Sequence, residues 1–151
     1  MAIERQKTIG KEVNFSGLGL FSGEQATVTI APGEIDSGII FIRDQDGKTA
    51  VINAMIQNVL KRPRRTCLKN GTLLVETVEH CMAALSGMGV DNASVRVKGG
   101  RVGELPAGDG SSRPFVELLE EAGITEQEAP LNPLIIRKPE QVSIGDAQRT
   151  T

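Results

Sequence analysis

The chain has 151 residues, with 17 Lys and Arg against 19 Asp and Glu and a net charge of −2, a length that suits one domain or two very small ones. The charge balance gives no electrostatic argument for nucleic acid. Trp and Tyr are absent and aromatic residues make up 3%, so the stacking platform used on single strands is missing and the core has to be aliphatic.

Cys67 and Cys81 form no Cys-x-x-Cys pair, so neither a structural zinc site of the usual kind nor a disulfide framework is expected. Free thiols fit a reducing cytoplasm. No apolar run reaches the ~18 residues of a membrane span, and "MAIERQKTIGKEV" lacks the apolar centre of a signal peptide. A cytoplasmic domain with no transmembrane segment and no nucleic-acid partner is the expectation.

In chain order, "KTIGKEVNFSGLGLFSGE" starts as a strand and breaks into a glycine-rich loop. "GLGLFSG" is not a nucleotide fingerprint, because no strand–turn–helix context follows. "ATVTIAP" (26–32) alternates as a strand, and "GIIFIRD" (38–44) is an apolar, β-rich run bounded by turn residues. "KTAVINAMIQNVL" (48–60) fits strand or helix. The basic run "KRPRR" (61–65) reads first as a solvated loop and, as a functional alternative, as a phosphate contact, since arginine forks suit diphosphates. "TCLKNGTLLVET" reads as a hairpin turning at Asn70-Gly71.

Two helices follow. The first starts near Val78, with Thr77 as its N-cap, and carries Val78, Cys81, Met82 and Leu85 at helical spacing. The second starts within "GSSRPF", where Pro114 fits a first turn, and ends at Gly123 with an apolar stripe of Phe115, Leu118, Leu119 and Ala122. "NASVRVKG" (92–99) is a strand between them. Asp109 is expected as a turn or cap residue, and the two cysteines as small core residues. "TEQEAPLNP" reads as an acidic, proline-bounded linker, and "LIIRKPEQVSIGD" as the start of a new strand pair. Strands followed by helix, strand and helix predict an α+β fold: a mainly antiparallel sheet with two helices packed on one face.

The only histidine, His80, directly follows Glu79 at the start of the first helix. The positive end of the helix dipole favours an ionised carboxylate there and disfavours a protonated imidazole. A neutral imidazole is a metal ligand, and a carboxylate beside it suits a general base. Ala83, Ala84 and Gly87 lie one turn on and permit close approach by another chain segment. A catalytic zinc usually has three protein ligands, so any further ones in this chain would have to be Asp, Glu or Cys.

"RRTCL…GTLLVETVEHCMAALSGMGVDN", "GLGLFSG" and "ELPAGDGSSRPFVELLEEAGI" resemble, in order and in one register over residues 5–125, the first domain of the UDP-3-O-acyl-N-acetylglucosamine deacetylases of lipid A synthesis. The resemblance implies zinc-dependent amide hydrolysis, with Glu79 as catalytic base and His80 as the first zinc ligand. The substrate it implies is an acylated UDP-N-acetylglucosamine. The family's other ligands lie in a second domain with no counterpart here. Phe21 stands where the family usually has His, and Ala107-Gly108 where an apolar-Met/Leu pair is usual. The expected organisation is a deacetylase-like first domain over 1–125, a linker over 126–133, and the start of a truncated second domain or a tail over 134–151. The expected partner is a separate second-half chain or a second copy of the chain, covering the helical layer as a homodimer. A non-catalytic binding or interaction module is the alternative.

Overall fold

The computed structural model describes residues 4–133, 135, 137 and 138. In chain order the elements are β1 (Arg5–Ile9), β2 (Val13–Leu18), β3 (Gln25–Pro32), β4 (Ile39–Gln45), β5 (Lys48–Asn53), β6 (Val59–Arg62), β7 (Arg65–Asn70), β8 (Leu73–Glu76), α1 (Glu79–Gly87), β9 (Ala93–Gly99), α2 (Arg113–Ala122) and β10 (Ile124–Pro130). The fold is α+β, as expected. The strands divide into three sheets, ordered β2-β3-β9-β4-β5, β6-β7-β8 and β1-β10. Among the described residues these strands pair antiparallel except β4 with β9, and an isolated parallel bridge joins Glu76 to Glu104.

The period of two along the strands sets the core. Ala26, Val28 and Ile30 of β3 and Ala93, Val95 and Val97 of β9 are buried, while the residues between them stay half-exposed. Phe41 and Ile52 extend the same buried face into β4 and β5. Cys81, Ala84 and Leu85 of α1 and Phe115, Leu119 and Ala122 of α2 join these side chains in one cluster. Phe15 of β2 meets Phe115 edge-on at 5.9 Å, a favoured aromatic geometry. The two helices also pack on each other.

Arg43 occupies a core position of β4 at 2% exposure. Its head donates to the carbonyl oxygens of Val97 at 3.3 Å, Gly99 at 2.8 Å and Gly100 at 2.5 Å. A buried cation is costly unless hydrogen-bonded, and these carbonyls, freed where β9 ends, supply the acceptors.

Three expectations need correction and one open reading is resolved. The hairpin turn is Gly71-Thr72, because Asn70 pairs with Leu73. Gly71 has φ +59°, which places glycine at the first central position of the loop. The segment 48–60 contains both readings, as β5, a 3₁₀ turn at Ile56–Asn58 and the start of β6. The stretch read as a linker from residue 126 continues β10, which pairs with β1 through Ile9↔Ile124 and Thr8↔Thr125. Its Glu126 and Glu128 are exposed while Gln127 reaches inward to Asn92 at 2.7 Å and to the Gly33 carbonyl at 2.9 Å. A polar ribbon therefore looks like a linker in one dimension. Lastly, Ala84 faces the core at 2% exposure, and only Ala83 and Gly87 of that small-residue set are exposed. The strand expected from residue 134 onward falls, apart from Ile135, Arg137 and Lys138, outside the described residues.

Leu85 is fully buried between the helical layer and the sheet. Leu85→Ala is expected to cost about 2–5 kcal/mol in urea unfolding, whereas Ala83→Ser, on the exposed side, should stay within ~0.5 kcal/mol.

Candidate functional site

The start of α1 is fixed from outside the helix. Thr66 of β7 donates its N–H to Glu79 Oε2 at 2.9 Å and accepts the Val78 N–H on its carbonyl at 3.3 Å. Thr77 is not the N-cap. Its φ is +59°, and Val78 takes the cap position without a side-chain cap bond. Glu79 and His80 are thus the first and second helical residues, one position earlier than the sequence implies. Glu79 remains in the first turn, where the dipole favours a carboxylate. Both side chains are half-exposed.

The Thr77 hydroxyl instead donates to Glu104 Oε1 at 3.0 Å. Glu104 is 2% exposed. It also accepts the backbone N–H of Phe21 at 2.9 Å and of Ser22 at 2.7 Å. Its backbone neighbours are tied to the same strand end: Glu76 N donates to the Gly103 carbonyl at 3.1 Å and Leu105 N to the Glu76 carbonyl at 3.0 Å. Gly19 has to be glycine here, because a Cβ at that position would run into the Glu104 carboxylate. Burial alone would push the Glu104 carboxyl up, but the hydrogen bonds from Ser22, Phe21 and Thr77 outweigh it and hold the group below its ordinary range. The glycine-rich loop after β2, the end of β8 and the loop before α2 therefore meet on one carboxylate.

Next to this junction Phe21 is 43% exposed, with the Arg65 guanidinium 4.4 Å above its ring, a cation–π contact. Arg65 Nε lies 2.9 Å from Glu76 Oε2 but makes no aligned hydrogen bond. The contact is therefore charge pairing. Arg62 approaches the other Glu76 oxygen at 3.9 Å. A polar cavity of about 370 Å³ opens here, lined by Phe21, Ser22, Arg62, Arg65, Glu76 and Arg101 among others. The "KRPRR" run is not a loop but the tip of a hairpin: Lys61 and Arg62 end β6, Pro63 and Arg64 make the turn, and Arg65 opens β7, the first four exposed and Arg65 held inward.

Cys67 and Cys81 are both fully buried. Burial pushes the Cys81 thiol up to about 12, and burial, with the nearby Glu76 charge, raises that of Cys67. Asp109 serves a turn, accepting Ser111 N at 2.9 Å and Ser111 Oγ at 2.7 Å. Among the described residues no group of three His, Cys, Asp or Glu side chains is placed to hold a metal ion. Sequence reasoning missed Thr66, Glu76 and Glu104. Nothing in their spacing marks them; each acts through a contact between distant segments.

A glutamate–histidine pair opening a helix, set in an α+β domain beside an anchored glycine loop, is the class of site this chain presents. The chain belongs to the LpxC family: the family model for UDP-3-O-acyl N-acetylglycosamine deacetylase matches residues 6–150. The UDP-3-O-acyl-N-acetylglucosamine deacetylase of Myxococcus xanthus (strain DK1622) is 41% identical over 143 residues, covering 95% of this chain and 45% of the relative. That of Anaeromyxobacter sp. (strain Fw109-5) is 41% identical over 147 residues, covering 97% and 46%. That of Pseudomonas entomophila (strain L48) is 38% identical over 146 residues, covering 97% and 47%. The chain spans less than half the length of these curated relatives.

A glutamate whose folded pKa is lowered contributes stability that is present above its ordinary value, 4.5, and lost as pH falls through the lower folded value. Urea unfolding from pH 7 to pH 3 should therefore show an acid loss that is shallower in Glu104→Gln. Some slope should persist, because Arg101, Thr49 and Ser111 hold Glu24, Asp44 and Asp109 low in the same way. An unchanged slope would contradict the assignment.

Proposed function

We propose that this chain is the N-terminal domain of a zinc-dependent UDP-3-O-acyl-N-acetylglucosamine deacetylase, a cytoplasmic hydrolase of lipid A biosynthesis, and that it is incomplete for catalysis alone. One observation carries the reading: Glu79 and His80 stand side by side at the positive end of α1, with the Glu79 carboxylate oriented by the Thr66 N–H, in a chain matched to the family over residues 6–150. In this role Glu79 takes a proton from the water that attacks the amide and returns it to the leaving amine. His80 supplies one ligand to zinc. The described residues bring no group of three such ligands together, so this chain by itself does not fit a complete catalytic zinc site, which usually has three protein ligands. The remainder comes from the portion of the family's length that this chain does not span, as a separate second-half chain, or from a second copy.

A non-catalytic binding module is the alternative, and Phe21 is the observation that favours it. An apolar ring stacked under Arg65 occupies the position where the resemblance calls for a polar histidine.

Zinc added to metal-free chain should bind weakly, and His80→Ala should abolish the binding. A tight stoichiometric site would mean that the chain completes its own ligand set. No amide hydrolysis is expected from the chain alone. If a second-half protein restores turnover of the acylated UDP-sugar, Glu79→Ala should lower it by ~10²–10⁴-fold. Failure of every such protein to restore turnover leaves the binding module as the reading. Light scattering on a sizing column, with and without that second half, separates heteromeric cover from a homodimer.

A further inference from the structure

Thr77 is a β-branched residue at φ +59°, a conformation such residues rarely adopt without outside support. It is 3% exposed and stands two residues before Glu79. The backbone must turn there for α1 to start where it does. One side-chain partner reaches the Thr77 hydroxyl: Glu104 Oε1, at 3.0 Å. The same carboxylate takes two backbone N–H groups from the glycine loop, those of Phe21 and Ser22. Gly19 leaves room for it.

We infer that Glu104 is a positioning residue for the Glu79–His80 corner: its buried carboxylate locks the 19–22 loop onto Thr77 and so fixes the point and direction at which α1 begins. The inference rests on the reading of that corner as the reacting one, but its geometry is independent of metal and of turnover. A carboxylate is suited to the task because it accepts only, and three donors converge on it. The isosteric amide would turn an NH₂ group against at least one of those N–H donors. Hydrogen bonds to an ionised acceptor are about twice as strong as neutral ones, which matches the burden of holding a left-handed threonine. The effect on Glu79 passes through Thr66: the Thr66 N–H bonds the Glu79 carboxylate and the Thr66 carbonyl bonds the Val78 N–H, so a shift of the turn at Thr77 disturbs both.

The test is NMR on the whole chain, comparing it with Glu104→Gln, Thr77→Val and Thr77→Ser. Amide exchange at Phe21 and Ser22 should accelerate about tenfold or more in Glu104→Gln. The amide shift of Thr66, which reports its bond to Glu79, should move toward the value seen in Glu79→Gln. Thr77→Val, which loses only the one hydroxyl, should move the Thr66 amide the same way while leaving exchange at Phe21 and Ser22 slow. Thr77→Ser keeps the hydroxyl and should restore the wild-type Thr66 shift. A Thr66 amide unchanged in both Glu104→Gln and Thr77→Val would overturn the inference, since the carboxylate would then hold only the loop. If Glu104→Gln does not fold, the Thr77→Val and Thr77→Ser pair decides alone. Loss of the zinc or turnover reading leaves these shifts untouched, so the two failures are distinguishable.

Discussion

Everything in this domain is arranged around burying one face of the five-stranded sheet. Four Phe are the only aromatic residues in the chain, so the burial relies on many small aliphatic contacts rather than a few large ones. Val28, Ile30, Val95 and Val97 in the central strands present a dense β-branched surface, and β-branched side chains pack well on a pleated sheet. Cys81, Ala84 and Leu85 fit α1 against that surface with little bulk. The placing of Glu79 and His80 is a consequence. Once the buried stripe of α1 is set, the first turn has to emerge at the corner where β8 ends.

Polar side chains in the interior close the places where strand pairing stops. Arg43 takes the carbonyls at the end of β9. Asn92, at 2% exposure, joins Gln6 of β1, Gln127 of β10 and the N–H of Gly38. Glu104 does the same for the glycine loop and the turn at Thr77. Buried polar groups are tolerated when hydrogen-bonded, and each of these sits where a loop must be held against a sheet edge. They act as joints, and the apolar core alone would leave those loops unspecified.

That division explains what could be read in one dimension. β3, β4, β9 and α2 were legible because their burial is periodic, in twos or in the 3.6-residue stripe of Phe115, Leu119 and Ala122. Glu79 and His80 were legible because adjacency at a helix start is a local property. The turn at Gly71-Thr72 lies one residue beyond the Asn70-Gly71 reading because Gly71 can serve either two-residue turn, as the second central residue of an Asn-Gly loop or, as here, the first of a Gly-Thr loop. β10 was hidden because both its outward residues and its inward Gln127 are polar. Thr77 looked like a cap because threonine is a good one; its actual role depends on Glu104, 27 residues away. Arg43, Thr66, Glu76 and Glu104 share that character, and no spacing rule identifies a residue whose partner is set by topology.

The apolar packing of the domain is largely its own. Its helices bury their apolar stripes against their own sheet and each other, and the side of α1 that carries Ala83 and Gly87 is exposed. A partner here would be recruited through small residues that allow close approach, with His80 in the same helical row, three residues before Ala83 and seven before Gly87. A second copy would bring another Glu79 and another His80 to such a contact. A different chain segment would bring new side chains to a surface already shaped for approach. The exposed row of His80, Ala83 and Gly87 therefore runs from the first turn of α1, where Glu79 stands, along a side of the helix that a neighbouring segment can approach closely.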